Sequence, residues 1–452
     1  MLEFSPKTYR KILDIAVRHN IIANCREYPS LLLNAKKTSL RKIRRVLQKN
    51  IKNRDFKCGL YVHFPFCASR CSFCKYYSEL MADERQAEDF LQAFGKEIGM
   101  YKMDFKKIKM ENLFLGGGTP TMLDRANMKK FLDIIYANFN FKENAQRTIE
   151  GTPESLTPDK VKLYAEYGIG RISIGLQSAN DDVLKNIGRR HTVKDVFSAF
   201  DTARKGGINH IATELIWGLP GETKASYRKT IKDIIALAPD FIEGYLLTEG
   251  GRVGIKKQRP ADSSLDSVIK MSKEMLLSRG YRVYYSSNFL GFIKNGITRA
   301  EAMNQNTDGL YSYDSDVLGI GTGASSHFHN YKYKIISDFE SYRRYLANGS
   351  FPGLHGMDIS ADDYKRHYVI LQIGFYRLIN KKRFREIFGS DFYDNFPEEI
   401  DCLRRKNVIT EDEDNYKWRL GDHEMGHRSF FIHVIQYWYN QKYIKQILKK
   451  CS

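Results

Sequence analysis

The residues best suited to chemistry are Cys67, Cys71 and Cys74, spaced C-x3-C-x2-C directly behind the apolar run Leu60-Tyr61-Val62-His63-Phe64-Pro65-Phe66. Three thiolates on one loop can each take a different iron of a 4Fe-4S cluster, whereas clusters used only for electron transfer normally need a fourth cysteine. The missing fourth ligand leaves one iron open to a chelating cofactor. Zinc is the competing reading, but a structural zinc site wants four ligands and would have to recruit His63 or a distant residue. The other cysteines, Cys25, Cys58, Cys402 and Cys451, are scattered and carry no ligand spacing.

Glycines and polar residues follow in an order that suits a cofactor on that open iron. Leu115-Gly116-Gly117-Gly118-Thr119-Pro120-Thr121 ends a strand-like run, and its glycines let backbone groups come close to a ligand. Glu150 closes a later run and suits ribose hydroxyls. Arg171-Ile172-Ser173-Ile174-Gly175-Leu176-Gln177 ends in an amide, and Arg189 carries a guanidinium that can pair with a carboxylate in a fixed fork. Taken singly, Arg189 reads as a surface ion pair and Glu150 as a strand cap. Behind a three-cysteine loop they read as ligands for S-adenosylmethionine, whose amino and carboxylate groups can chelate the open iron.

Elements that would hold these residues are legible from periodicity. Short apolar runs near 59–64, 112–116, 147–151, 171–175, 210–217 and 241–247 alternate with helical stretches such as Glu84 to Met100, Arg125 to Phe139 and Pro158 to Tyr167. This predicts an α/β fold, a partial (β/α)6 barrel of the TIM type, with the chemistry at the C-terminal strand ends. The expected domains are a basic helical extension over 1–57, the barrel with its cluster over 58–335, and a mainly helical domain over 336–452 with a small wing near Val408 to Leu420.

The chain has 452 residues, 42% hydrophobic and 28% charged, and no apolar run near the ~20 residues that span a bilayer. Its N-terminus lacks the pattern of a secretory signal, so the reducing cytoplasm is the expected compartment. The net charge of +19 suits an anionic partner: nucleic acid, a membrane face or an acidic small molecule. The segment Lys36 to Lys57 holds ten basic residues against one acid, Asp55, and reads first as a solvated helix face. No nucleic-acid-binding signature accompanies the charge, so nucleic acid is not expected as a partner. The stretch Arg428 to Lys450 places Phe431, Val434, Ile435, Trp438, Ile444, Ile447 and Leu448 on one face with lysines nearby. Such a helix can lie at the inner face of a membrane, although a stripe of this kind is more often core.

From Tyr61 to Ser326 these motifs resemble the oxygen-independent coproporphyrinogen III oxidase family of radical S-adenosylmethionine (radical SAM) proteins, which includes haem chaperone-like members and class C methyltransferases. The resemblance implies that Cys67, Cys71 and Cys74 hold the cluster and that Tyr61 packs on the sulfonium. It also implies that Gly117, Gly118, Thr119, Glu150, Gln177 and Arg189 contact the cofactor, with Glu214 standing where the family usually has aspartate. Ile216 matches the position that borders a second cofactor molecule. Asp316 to Ser326 resembles the family's glycine-rich return to the barrel.

Three departures bear on the member. Tyr76 stands where the dedicated oxidase has a further cysteine, the oxidase's Tyr-Pro and Asn-Phe-Gln-Gly motifs have only partial counterparts, and 57 residues precede the barrel. By elimination, the expected activity is C-methylation of a large aromatic substrate such as menaquinone. It would use two S-adenosylmethionine molecules and a flavodoxin- or ferredoxin-type electron donor. The alternatives are decarboxylation, methylation or ring opening of a tetrapyrrole, and a haem carrier using His327 and His329 as axial ligands.

Overall fold

The computed structural model describes residues 28–31, 35–52, 56–247, 262–285, 290–298, 315–419 and 434–449. Six strands carry the architecture: β1 (Cys58–Phe64), β2 (Lys109–Gly117), β3 (Asn140–Gly151), β4 (Arg171–Gln177), β5 (His210–Trp217) and β6 (Phe241–Leu246). They lie side by side in chain order and every neighbouring pair is parallel. Runs such as Arg171–Gln177 are buried along their whole length, as expected of parallel strands covered on both faces.

The crossover helices begin at side-chain caps the sequence supplies. Helix α1 (Glu84–Phe105) starts where Asp83 accepts from the Gln86 N–H at 3.1 Å, and Arg125–Tyr136 starts in the same way at Asp124. Val193–Lys205 and Lys224–Leu237 open with reciprocal capping boxes at Thr192/Asp195 and Thr223/Ser226. The result is the α/β partial barrel expected from the sequence, with its six strands in the predicted places.

The sheet is wider than periodicity indicated. On one edge Asp316–Ile320 joins β1 in parallel, followed by Ser325–Phe328, Tyr331–Ile335 and Gly353–Asp358; on the other edge Leu290–Lys294 and Tyr281–Tyr285 continue from β6, giving 12 strands. These extra strands are only four to six residues long, too brief for periodicity to register them as βα units. The compact unit containing the barrel runs over 36–284 and 290–356. It includes helix Leu40–Ile51, whose Ile43, Val46 and Leu47 are buried while Arg44 pairs with Asp104 at 3.2 Å. The basic run is therefore one face of an amphipathic helix.

The second unit contains the residues from 357 onward. Its described part has the expected small wing, a three-stranded sheet of Leu378–Asn380, Asn415–Trp418 and Ile409–Glu411. Phe431 lies outside the described residues. Val434, Trp438, Tyr439, Tyr443 and Ile444 are all buried, with Trp438 against Phe392, Phe396 and Trp418. These described residues form core, while the side chains of Ile435, Ile447 and Leu448, like Phe431, lie outside the described residues. Among the described residues no helix is long and apolar enough to cross a membrane.

One buried acid ties α1 to the return of the chain. Glu97, with no exposed surface, accepts from the Gly321 N–H at 2.8 Å and from the Tyr342 hydroxyl at 2.6 Å. Burial raises its carboxyl from the usual range to about 7. The folded protein thus holds a proton there that the unfolded chain releases above the ordinary carboxylate pKa, so this group costs stability as pH rises between about 4.5 and 7. Denaturant titrations should show wild type losing stability across that window relative to Glu97→Gln, by roughly 1–3 kcal/mol. Parallel pH profiles for the two proteins would contradict it.

Candidate active site at the strand ends

The cysteine loop leaves β1 and is closed at its base by a short parallel pairing of Phe66–Cys67 with Glu79–Leu80. Inside it the Cys74 N–H donates to the Cys71 carbonyl at 3.3 Å. The loop is fastened to the turn after helix Asp181–Asn186, where the Ser72 N–H donates to the Ile187 carbonyl at 3.1 Å and the Ser69 hydroxyl to the Gly188 carbonyl at 3.1 Å. Gly188 has φ +79° and no room for a side chain, because a Cβ would come within 2.9 Å of the Arg70 carbonyl oxygen.

All three thiols are partly exposed. The Thr119 hydroxyl lies 3.6 Å from the Cys67 sulfur, and Arg189 Nη1 lies 3.6 Å from the Cys71 sulfur. Donors placed this way stabilise thiolate and tune a bound cluster. Among the described residues no three His, Cys, Asp or Glu side chains converge on a single ion. A cluster does not require that, since each thiolate takes its own iron. Of the fourth ligands zinc could recruit, His63 has both ring nitrogens occupied, by the Tyr61 hydroxyl and the Tyr77 carbonyl, each at 2.9 Å.

The glycine turn packs on the chain's own backbone. Its N–H groups are used within the protein: Gly118 donates to the Phe64 carbonyl and Thr119 to the Phe66 carbonyl, both at 2.7 Å, and Gly117 to Glu150 Oε2 at 3.2 Å. Side chains are excluded because Gly118 lies against the Phe66 backbone and Gly117, at φ +108°, against the His63 ring. The close approach is thus to the segment that carries Cys67, and the glycines first of all set the height of the cysteine loop.

Beside the loop, β3 to β6 turn polar side chains toward one another. Glu214 faces Glu243 in register on β5 and β6, as Glu150 faces Ser173 on β3 and β4. Glu214 accepts from Gln177 Nε2 at 3.0 Å and from the Ser173 hydroxyl at 3.4 Å. Gln177 is nearly buried at a register shift in β4, with φ +67°, a costly conformation for a side-chain-bearing residue. Its Oε1 has no hydrogen-bond partner and neither has Arg189 Nε. Desolvation, reinforced by the charge of Glu214, pushes Glu150 up to about 8, and desolvation followed by Glu243 raises Glu214. A site this rich in carboxylates, with an unsatisfied amide oxygen and a guanidinium beside the thiols, fits a cofactor bearing ammonium, hydroxyl and carboxylate groups.

Tyr61 stands beside Phe114 in the middle of β1, and Ile216 is 5% exposed among Leu184, Leu219 and Leu247 with Phe73 of the cysteine loop packed against them. His327 pairs with Val317, and the His329 N–H donates to Asp316 at 2.9 Å, at the strand end opposite Cys67. Sequence reasoning missed Glu243, which forms a 2.7 Å ion pair with the buried Arg171 and accepts from the Tyr245 hydroxyl at 2.7 Å. An acid within the otherwise apolar run Phe241-Ile242-Glu243 was the available signal.

Fold and site together suit an iron–sulfur cluster with a chelating cofactor. Residues 61–234 match the Radical SAM superfamily, whose domain uses a 4Fe-4S cluster and S-adenosylmethionine. It is 26% identical over 361 residues to the haem chaperone HemW of Bacillus subtilis, covering 77% of this chain and 92% of that protein. It is 25% identical over 353 residues to the oxygen-independent coproporphyrinogen III oxidase of Pseudomonas aeruginosa, covering 75% and 76%. The structure of coproporphyrinogen III oxidase from Escherichia coli superposes with a TM-score of 0.79 at 20% identity, over 92% of this chain and 97% of that one, and so shares the fold.

Gly175 leaves room for the Arg189 guanidinium: a Cβ there would come within 2.5 Å of Nη2 and 2.8 Å of Gln177 Nε2. Gly175→Ala should displace both side chains and weaken S-adenosylmethionine binding about tenfold, or ~1.4 kcal/mol, with iron content retained. A spectroscopic titration of the reconstituted protein that returns the wild-type affinity would contradict this role.

Proposed function

We propose that the chain is a radical SAM enzyme acting on a tetrapyrrole. When bound, the cluster and its cofactor supply one-electron cleavage of a carbon–sulfur bond and a carbon radical able to abstract hydrogen. The residues of this chain would bind, orient and shield: Cys67, Cys71 and Cys74 as cluster ligands, with Gly117, Gly118 and Thr119 holding their loop. Arg189 would pair with the cofactor carboxylate, and Glu150, Gln177 and Glu214 would offer acceptors to its hydroxyl and amino groups.

The observation that carries the substrate class is the acceptor-rich interior beside the loop. Glu214 and Glu243 in register, with Tyr245 on Glu243, offer oxygen lone pairs. Pyrrole N–H groups can donate to such a surface. A quinone head offers only carbonyl acceptors and has no donor to place on those oxygens. Both relatives named above are described by their dealings with haem or its precursors, and neither is described as a methyltransferase. The menaquinone reading, reached by elimination, therefore gives way to the tetrapyrrole one. With Ile216 almost wholly covered, little of its surface is left to border a second cofactor molecule. A basic chain also draws carboxylate-bearing substrates.

The test is anaerobic turnover of reconstituted protein with a chemical or flavodoxin-type reductant, offering coproporphyrinogen III, haem or menaquinone in parallel. Formation of 5′-deoxyadenosine should rise several-fold only with a tetrapyrrole, accompanied by a mass change in that tetrapyrrole. Stimulation by menaquinone alone would overturn the assignment, as would stable haem binding with no cofactor consumed, which is the behaviour of a carrier.

A further inference from the structure

His63 is buried in the strand that leads to the cysteine loop, and its ring spans two elements of the site. Nε2 lies 2.9 Å from the Tyr77 carbonyl oxygen, which can only accept, so Nε2 must carry the proton. Nδ1, left with a lone pair, lies 2.9 Å from the Tyr61 hydroxyl and accepts from it. Burial pushes the ring's pKa down to about 4, so this neutral tautomer persists at physiological pH. Both neighbours are held in turn. The Tyr77 hydroxyl donates to Glu79, which also accepts the Phe339 N–H at 3.0 Å, and the Tyr61 ring lies beside Phe114. The glycines at 117 and 321 clear the space around His63: a Cβ at Gly117 would come within 2.7 Å of the His63 ring, and one at Gly321 would strike its carbonyl oxygen.

We propose that His63 is a two-ended positioning residue: through Nδ1 it fixes the orientation of Tyr61 toward the cofactor, and through Nε2–H it anchors the Tyr77 carbonyl and with it the exit of the cysteine loop. This rests on the reading of the strand ends as a cofactor site. Tyr77 lies three residues beyond Cys74, so the second tether acts on the segment carrying the last thiol. The strand places Tyr61 and His63 on the same side, two residues apart, which lets one ring serve both.

The two roles can be separated because the shorter and longer amides each replace one ring nitrogen. His63→Asn puts an acceptor near the position of Nδ1 and offers no donor to Tyr77. His63→Gln puts a donor near the position of Nε2 and offers no acceptor to Tyr61. Full-length, anaerobically reconstituted protein is used throughout. His63→Gln should weaken S-adenosylmethionine binding by about fivefold to tenfold, as expected for one lost hydrogen bond, and keep wild-type resistance of its cluster to a chelator. His63→Asn should do the reverse. Tyr61→Phe should match His63→Gln in affinity, and the double variant should be no weaker than either. In wild-type protein labelled with 15N-histidine, with no cofactor added, His63 should show a protonated Nε2 and an unprotonated Nδ1.

A proton on Nδ1, losses that multiply in the double variant, or Asn and Gln variants that lose the same property would each overturn the proposal. Retention of the predicted tautomer and of the split in cluster resistance, with no detectable cofactor binding by wild type, would sink the underlying cofactor-site reading instead.

Discussion

A loop of three thiols can leave one iron open only if the loop itself is held still, and the chain does this with backbone rather than with a fourth ligand. The constraint is the close stacking of the glycine turn on the segment Phe64–Cys67. Two 2.7 Å hydrogen bonds from Gly118 and Thr119 join the end of β2 to the start of the cysteine loop. Phe66–Cys67 then pairs with Glu79–Leu80, and Ser69 and Ser72 bind the far side to the Ile187–Gly188 turn. Every other feature of the site takes its position from this fastening. Arg189 reaches Cys71 because it follows that turn, and Thr119 reaches Cys67 because it follows the glycines.

The electrostatics are the second half of the design. Glu150, Glu214 and Glu243 crowd one interior against Arg171 and Arg189, and the first two are pushed toward protonation, Glu150 by desolvation and the charge of Glu214, Glu214 by desolvation and the charge of Glu243. Such a surface is expensive in the absence of a ligand, since buried polar atoms without partners cost about 1–3 kcal/mol each. Gln177 Oε1 and Arg189 Nε are atoms of this kind, and Gln177 also has an unfavourable backbone conformation. Strain and unsatisfied polarity gathered at the strand ends mark a place arranged for binding rather than for stability.

Much of this was legible in the sequence because the relevant signals are local. C-x3-C-x2-C marks its own candidate ligands, and six apolar runs with helical spacers determine a parallel sheet with the motifs at its strand ends. What stayed hidden depends on register. Glu243 meets Arg171 only once β4, β5 and β6 are aligned, and His63 could be excluded as a metal ligand only when its two partners were seen. The glycines were legible as a close approach, but not as an approach to the chain's own backbone. Strands beyond β6 and after Asp316 are too short for periodicity to declare, and the C-terminal aromatic stripe, more often core than lipid-facing on pattern alone, shows its packing only where Trp438 meets Phe392, Phe396 and Trp418.

The central claim is that three sulfurs leave one coordination position for a sulfonium cofactor. Electron paramagnetic resonance of dithionite-reduced, anaerobically purified protein, with and without S-adenosylmethionine, tests it most directly. Expected are about four irons and four sulfides per chain, a reduced-cluster signal whose shape changes when the cofactor is added, and loss of both in Cys71→Ala. A signal indifferent to the cofactor, or protein without iron and sulfide, would contradict it.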